Sequence, residues 1–348
     1  MKAVQFSQHG DRSVLTYDDH PEPSVGDQEV MLEIKAAALN HLDVHTRRGV
    51  PGIDLSFPHI AGSDGAGVVT EVGDDVTRFE RGDRVVVSPG RWCGQCEFCR
   101  HGEHSMCDSY HLIGEHVNGV QAERAAVPQA CLIPVPDHVD WQTAGSVALA
   151  FQTAWRMLHS RADINAGDHV LVHGASGGVG HAAVQIAEHA GATVYATGSS
   201  DEKLDHARTY GADHAINYDE QSFDEKIYQL TDGRGVDVVV DHIGPATWDE
   251  SLKSLTKGGT LVTCGATTGP IAKTNINRVF WKQLEIVGST MATPGEADDV
   301  LELVWDGTFS VHLREILPMS EIQRAHQLLE DRVGFGKVVV VPDSEYDA

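Results

Sequence analysis

The chain's 348 residues suffice for two domains, each burying its own core. Its 51 acidic residues against 26 basic ones leave a formal charge of −25. Such a surface repels phosphate backbones and anionic lipid, which excludes nucleic acid and membrane surfaces as partners. No run reaches the roughly 18 apolar residues of a membrane helix, and the opening MKAVQFSQHGD lacks a basic-plus-apolar signal pattern, so a cytoplasmic chain is expected. The acids are scattered through periodic segments and lysine is scarce, which predicts an acid-coated enzyme of a high-salt (halophilic) cytoplasm, where screening relieves self-repulsion.

Residues 1–135 read as β-rich. EVMLEIKAAAL, AGVVTEV and DRVVVSPG are short apolar runs broken by Gly, Pro and Asp, and no long helical pattern interrupts them until 141–158. From Asp168 strands alternate with amphipathic helices: DHVLVHG, TVYATG, HAIN, GVDVVVDHIG, GGTLVTCG and LEIVGST are strands, with GGVGHAAVQIAEHAG, DEKLDHARTYG, QSFDEKIYQLTD and ATWDESLKSL as helices between them. That alternation specifies an α/β fold, a doubly wound parallel sheet with helices on both faces. After Trp305 the pattern changes to a helix, MSEIQRAHQLLEDR, and a closing strand, GKVVVVP. No repeat or flexible linker separates the halves, which are expected to pack directly with a cleft between them.

Four of the six cysteines fall in CGQCEFCRHGEHSMC, as C-x2-C-x2-C-x7-C at Cys93, Cys96, Cys99 and Cys107. Such spacing suits thiolate–metal bonding in a reducing cytosol better than a disulfide framework. Cys131 and Cys264 stand alone in strand-like segments. A second motif, HVLVHGASGGVGHAAVQIAEHAGATVYAT, places Gly174, Gly177 and Gly180 between a strand and a helix, with Gly178 and Val179 opening the helix. Glycines there permit a tight turn, close approach to a pyrophosphate and close helix–strand packing, and the helix N-terminus favours phosphate. An NAD site usually carries Asp or Glu at the end of the second strand; here YATGSSDEK puts Gly198 there, followed by Ser199, Ser200 and Lys203. Hydroxyls and a lysine hold a 2′-phosphate that a carboxylate would repel, so NADPH is expected over NADH, although Asp201 and Glu202 oppose it.

With those motifs goes a resemblance over essentially the whole length. AAALNHLDVHTRRG, FPHIAGSDGAGVVTEVG, RGDRVVV, the cysteine loop, FQTAW, GASGGVG and GKVVVV resemble the medium-chain dehydrogenase/reductase superfamily, which contains zinc alcohol dehydrogenases and zinc-free quinone oxidoreductases. The resemblance implies a GroES-like β-barrel catalytic domain from 1–147 and 307–348 and a Rossmann domain over 148–306. It implies one structural zinc per chain on Cys93, Cys96, Cys99 and Cys107, a closed tetrahedron that serves as scaffold. The family's catalytic-zinc ligands fall on Asn40, Ser63 and Leu149, none of them a good zinc ligand, so a catalytic metal is not expected. Asp43 and Asp64 match acidic positions flanking that site, and His59 lies nearby.

Without a Lewis acid the favoured acceptors are already electrophilic: quinones, or alkenes conjugated to a carbonyl or thioester. The resemblance makes Asn40, His45 and Asp43 the candidate catalytic set, with Asn40 an amide donor to substrate or nicotinamide and His45 a proton relay. Thr153 matches a contact to the nicotinamide carboxamide and Tyr218 a neighbour of the adenosine phosphate. Gly244, Gly265, Ser289 and Lys337 match residues lining the cofactor, and His41 a neighbour of the pyrophosphate. A homodimer or homotetramer is implied, with the strand at 284–289 pairing across the interface. Two other readings compete: an alcohol or aldehyde dehydrogenase with an unorthodox zinc site on Asp43, His59 or Asp64, and an NADPH-binding sensor without turnover.

Overall fold

The computed structural model describes residues 1–332 and 334–346. Two compact units form. The first contains Met1–Leu149, Thr293–Val333 and Lys337–Ala348, the second Ala150–Ala292 and Gly334–Gly336. The second unit thus ends at Ala292, earlier than the expected 306. The reason is the helix Pro294–Trp305, opened by a Thr293/Glu296 capping box with proline in its first turn, whose Trp305 carbonyl accepts from His138 in the first unit.

In the first unit Glu29–Ala38 organises a seven-stranded sheet. It pairs antiparallel with Asp64–Val72, with Arg124–Pro128 and with Lys337–Val341 from the far end of the chain. Leu32, Ile34, Val85, Val87, Leu132, Val338 and Val340 share its core; burying each such side chain contributes about 1.5–3 kcal/mol. One helix in this β-rich half, His41–Arg48, has too few apolar positions to read as amphipathic. It is held by polar anchors: Asp43 Oδ2 accepts from the Asn40 N–H at 2.7 Å, and buried Arg47 donates to Glu330 and His326 of the helix Ile322–Glu330.

The second unit is a six-stranded parallel sheet of β1 (His169–Val172), β2 (Thr193–Gly198), β3 (His214–Asn217), β4 (Val236–Val240), β5 (Leu255–Thr263) and β6 (Glu285–Gly288). Their spatial order is 3-2-1-4-5-6, all neighbours parallel. This is the doubly wound order whose switch point, between β1 and β4, opens a crevice beyond the strands' carboxyl ends. Val170–Val172 and Val238–Val240 are covered on both faces, which is why they read as unbroken apolar runs. A helix at Ile276–Lys282, between β5 and β6, escaped the sequence reading because Ile276, Phe280 and Trp281 face outward. Among the described residues no helix is long and apolar enough to cross a membrane.

Two buried histidines make the fold acid-sensitive. Burial pushes the pKa of His326 down to about 3, with Arg47 adding to the effect, and that of His173 down to about 4 against the pull of Asp241. Below pH 6.5 the unfolded chain binds protons that these folded-state imidazoles refuse, so stability falls as pH drops from about 6.5 towards 4. Thermal melts at pH 7 and pH 5 check this. A clearly lower Tm at pH 5 is expected, and less of that loss in His326→Leu; a Tm insensitive to pH would contradict it.

Candidate active site

The carboxyl ends of β1 to β6 carry a row of the residues singled out in the sequence. After β1, Gly174 has φ +59°, a left-handed conformation that favours glycine. A Cβ on Gly180 would lie 2.3 Å from the Gly174 carbonyl oxygen, so only glycine lets the helix Gly178–His189 start this close to the strand. Gly177, Gly178 and Val179 form the N-terminus of that helix. Beyond β2, the Lys203 ammonium donates to Ser199 Oγ at 3.1 Å and Ser200 caps the helix Asp201–Thr209. Tyr218 follows β3 with an exposed ring, and its N–H donates to the Gly198 carbonyl. Gly244, Gly265 and Ser289 follow β4, β5 and β6. Thr153 lies in the same unit, buried, with its hydroxyl 3.6 Å from Met291 Sδ.

The first unit gathers a second, buried group. Lys337 Nζ donates to Asn40 Oδ1 at 2.6 Å and to Asp64 Oδ2 at 3.0 Å, Asn40 Nδ2 donates to Asp64 Oδ2 at 2.9 Å, and the Leu149 N–H donates to Asp64 Oδ1 at 2.7 Å. Lysine only donates and a carboxylate only accepts, so the Asn40 amide has one permitted orientation. Lys337 is 4% exposed and Asp64 0%. Lys337, expected along the cofactor, is therefore committed to Asp64 and Asn40, and half of Asn40's donor capacity goes to Asp64. Asp43, fully buried beside them, has its pKa pushed up to about 7 by burial, against the opposing pull of the Asn40 backbone N–H and Lys337.

His45 lies apart from this group, exposed on the helix His41–Arg48 one turn beyond His41. Partial desolvation and the charge of Arg48 hold its pKa below the usual 6.5. His59 is buried with Nε2 donating to the Gly114 carbonyl at 3.1 Å, and burial lowers its pKa.

At the cysteine loop, the sulfurs of Cys93, Cys96, Cys99 and Cys107 all lie within 4.8 Å of one another. A zinc tetrahedron with Zn–S near 2.3 Å has S···S edges of about 3.8 Å, so the four sulfurs fit that ion. Backbone N–H groups already face them: Cys96 N–H donates to Cys93 Sγ and Cys93 N–H to Cys107 Sγ, each at 3.3 Å. Among the described residues this is the one group of three or more Cys, His, Asp or Glu side chains close enough to share a metal.

Residues 26–137 match the alcohol dehydrogenase GroES-like domain and residues 178–306 the zinc-binding dehydrogenase family. A quinone oxidoreductase of Pseudomonas aeruginosa is 31% identical, over 98% of this chain and 99% of its own. An acryloyl-coenzyme A reductase of Sulfurisphaera tokodaii is 32% identical over 98% of this chain and 100% of its own. The crystal structure of an NAD-dependent alcohol dehydrogenase superposes with a TM-score of 0.94 at 41% identity, covering 98% of this chain and 99% of that one. The chain belongs to the medium-chain dehydrogenase/reductase superfamily. It is an oxidoreductase with a GroES-like domain and a Rossmann sheet, and its cofactor is a nicotinamide dinucleotide.

The positions expected for a catalytic zinc, Asn40, Ser63 and Leu149, each adjoin Asp64, by a hydrogen bond or in sequence. Asn40 and the Leu149 backbone hold Asp64, while Ser63, between them in sequence, is buried with an unpartnered Oγ. An amide bonded to a lysine ammonium, a hydroxyl and an aliphatic chain make a set of side chains that does not fit a second zinc. Two buried polar residues that sequence reading passed over follow the central strands: His173, which ends DHVLVH, and Asp241, which ends GVDVVVD. A polar residue closing each apolar run was the signal available.

Proposed function

We propose that this oxidoreductase uses NADPH to reduce electron-poor acceptors, quinones or alkenes conjugated to a carbonyl or thioester, without a catalytic metal. The observation that carries the reading is the Lys337–Asp64–Asn40 cluster, which puts a lysine ammonium among the positions where relatives place zinc ligands. The names of the Pseudomonas quinone oxidoreductase and the Sulfurisphaera acryloyl-coenzyme A reductase support both acceptor classes. The zinc alcohol dehydrogenase reading has the superposed alcohol dehydrogenase in its favour, but it needs Asp43, His59 or Asp64 as ligands. Asp64 is already filled by three donors and His59 is turned to Gly114.

The bound nicotinamide supplies a hydride. In this reading the glycine loop and the N-terminus of Gly178–His189 hold its pyrophosphate, Ser199, Ser200, Lys203 and Tyr218 take the 2′-phosphate, and Thr153 orients the carboxamide. An acceptor reduced there would carry negative charge on its distant oxygen, which hydrogen-bond donors of the chain would meet. Asn40, its amide locked by Lys337 and Asp64, offers its remaining N–H, and His45 gives the proton that completes the product. Cys93, Cys96, Cys99 and Cys107 hold a scaffold zinc.

NADPH oxidation with 1,4-benzoquinone, an enone, an enoyl thioester and a simple aldehyde tests the assignment. Turnover on the first three and little on the aldehyde is expected; the reverse order contradicts it. Binding without turnover on any of them would favour the sensor. Because His45 donates in its protonated form, turnover should fall as pH rises through a pKa below 6.5, and His45→Gln should remove that limb while leaving NADPH binding unchanged. An unaltered pH profile would dismiss the relay.

The same reading extends to assembly and habitat. Ile276, Phe280 and Trp281 are exposed on the helix that precedes the edge strand β6 in sequence, which supports a homodimer or homotetramer paired through that edge; a monomer by light scattering would contradict it. The acid excess supports a salt-adapted cytoplasmic enzyme, and unchanged folding from low to molar KCl would remove that idea. Six free cysteines are compatible with a reducing cytoplasm; recovery outside the cytoplasm on cell fractionation would contradict it.

A further inference from the structure

Asp241, next after β4, is completely buried, and the phosphate and carboxamide contacts proposed above make no use of it. Its carboxylate accepts four hydrogen bonds. The Ile243 and Gly244 N–H groups donate to Oδ1, both at 2.9 Å, while the Thr247 and Ser251 hydroxyls donate to Oδ2 at 2.7 and 2.8 Å. The turn after β4, including Gly244 at φ +89°, is folded around this one side chain.

The chain of bonds continues across the sheet. The Ser251 hydroxyl gives its proton to Asp241, so towards His173 it can only accept. His173 Nε2 must then carry the hydrogen and donate to Ser251 Oγ, at 2.9 Å. That leaves His173 Nδ1 as an acceptor for the Thr197 hydroxyl at 3.0 Å. The burial that lowers the pKa of His173 to about 4 favours this neutral tautomer. Thr197 immediately precedes Gly198, where the second strand turns towards Ser199 and Lys203. One line of hydrogen bonds, Thr197 to His173 to Ser251 to Asp241, therefore joins the carboxyl ends of β2, β1 and β4. Phe223 packs edge-on against the imidazole, 4.7 Å between ring centres, and fixes its plane.

We propose that His173 and Asp241 are positioning residues of the nucleotide site, setting the spacing of the three strand ends on which the dinucleotide rests. The proposal rests on the nucleotide reading above and adds to it a device that touches no phosphate itself. A histidine is the right size to span two hydroxyls with one donor and one acceptor, and glutamine can supply the same pair.

NADPH affinity, measured directly by quenching of protein fluorescence, tests it beside KM, kcat and Tm. In His173→Leu the dissociation constant and KM for NADPH should rise about tenfold, the effect of roughly one well-made buried hydrogen bond, with kcat at saturating NADPH nearly unchanged. His173→Gln should recover most of the affinity. Thr197→Val, which removes one link and keeps the shape, should weaken binding in the same sense and gives the answer if His173→Leu fails to fold. Wild-type affinity in Thr197→Val and His173→Leu, with Tm alone reduced, would overturn the proposal and leave the nucleotide site standing. Absence of NADPH binding by the unaltered enzyme would overturn both.

Discussion

Lys337→Met should destabilise the protein by about 3–5 kcal/mol, the usual cost of leaving a buried charge without its partner. Asp64 is fully buried, and in this variant it would keep the Leu149 and Asn40 donors but lose the Lys337 ammonium. The double variant Lys337→Met/Asp64→Asn removes both charges and should recover most of the stability, since a neutral pair of similar volume is tolerated where a half pair is not. Turnover should not recover with it. Asn40 would no longer be held between an obligate donor and an obligate acceptor, and kcat should remain about tenfold down, one charge-assisted hydrogen bond's worth, with NADPH affinity unchanged. Denaturant titration and steady-state kinetics on the three proteins check this. Full turnover in the folded double variant would show that the cluster is only a floor beneath the site.

Ser199→Asp should reverse the preference between cofactors. The new carboxylate would repel a 2′-phosphate and would also pair with Lys203, whose ammonium now lies 3.1 Å from Ser199 Oγ. Two favourable contacts then become one repulsion and one neutralised charge. The loss for NADPH should be about a hundredfold in kcat/KM, near the sum of two charge-assisted contacts at 1.5 kcal/mol or so each. Efficiency with NADH, which has no phosphate there, should hold or improve. Gly198 is the less suitable site for the acid, because a Cβ there would come within 3.0 Å of buried Leu204. An equal fall with both cofactors would point to local damage. No change with either would place the 2′-phosphate elsewhere.

Much of the fold was legible because its signals are local. Runs such as HVLV and VDVVV are covered on both faces and could only be central parallel strands, and glycines at 174 and 180 mark a turn that other residues cannot make. The helix Pro294–Trp305 was legible too, had the capping box in TPGE been given its due. The helix His41–Arg48 was not, since it has few apolar positions and Arg47 holds it through partners far along the chain. Lys337 shows the same limit at the site. Its place in GKVVVV suggested a residue lining the cofactor, and only the antiparallel pairing of Val339 with Ala38 reveals that it reaches Asn40. His173 and Asp241 are likewise ordinary in sequence and become a pair only when β1 and β4 lie side by side.

Zinc-edge X-ray absorption on enzyme saturated with zinc and still turning over an enone bears most directly on chemistry without a catalytic metal. One zinc per chain in a shell of four sulfurs near 2.3 Å is the result that should appear, with activity unaffected by ions added beyond it. A second zinc in a shell of oxygen and nitrogen, whose selective removal abolishes turnover, would contradict the assignment.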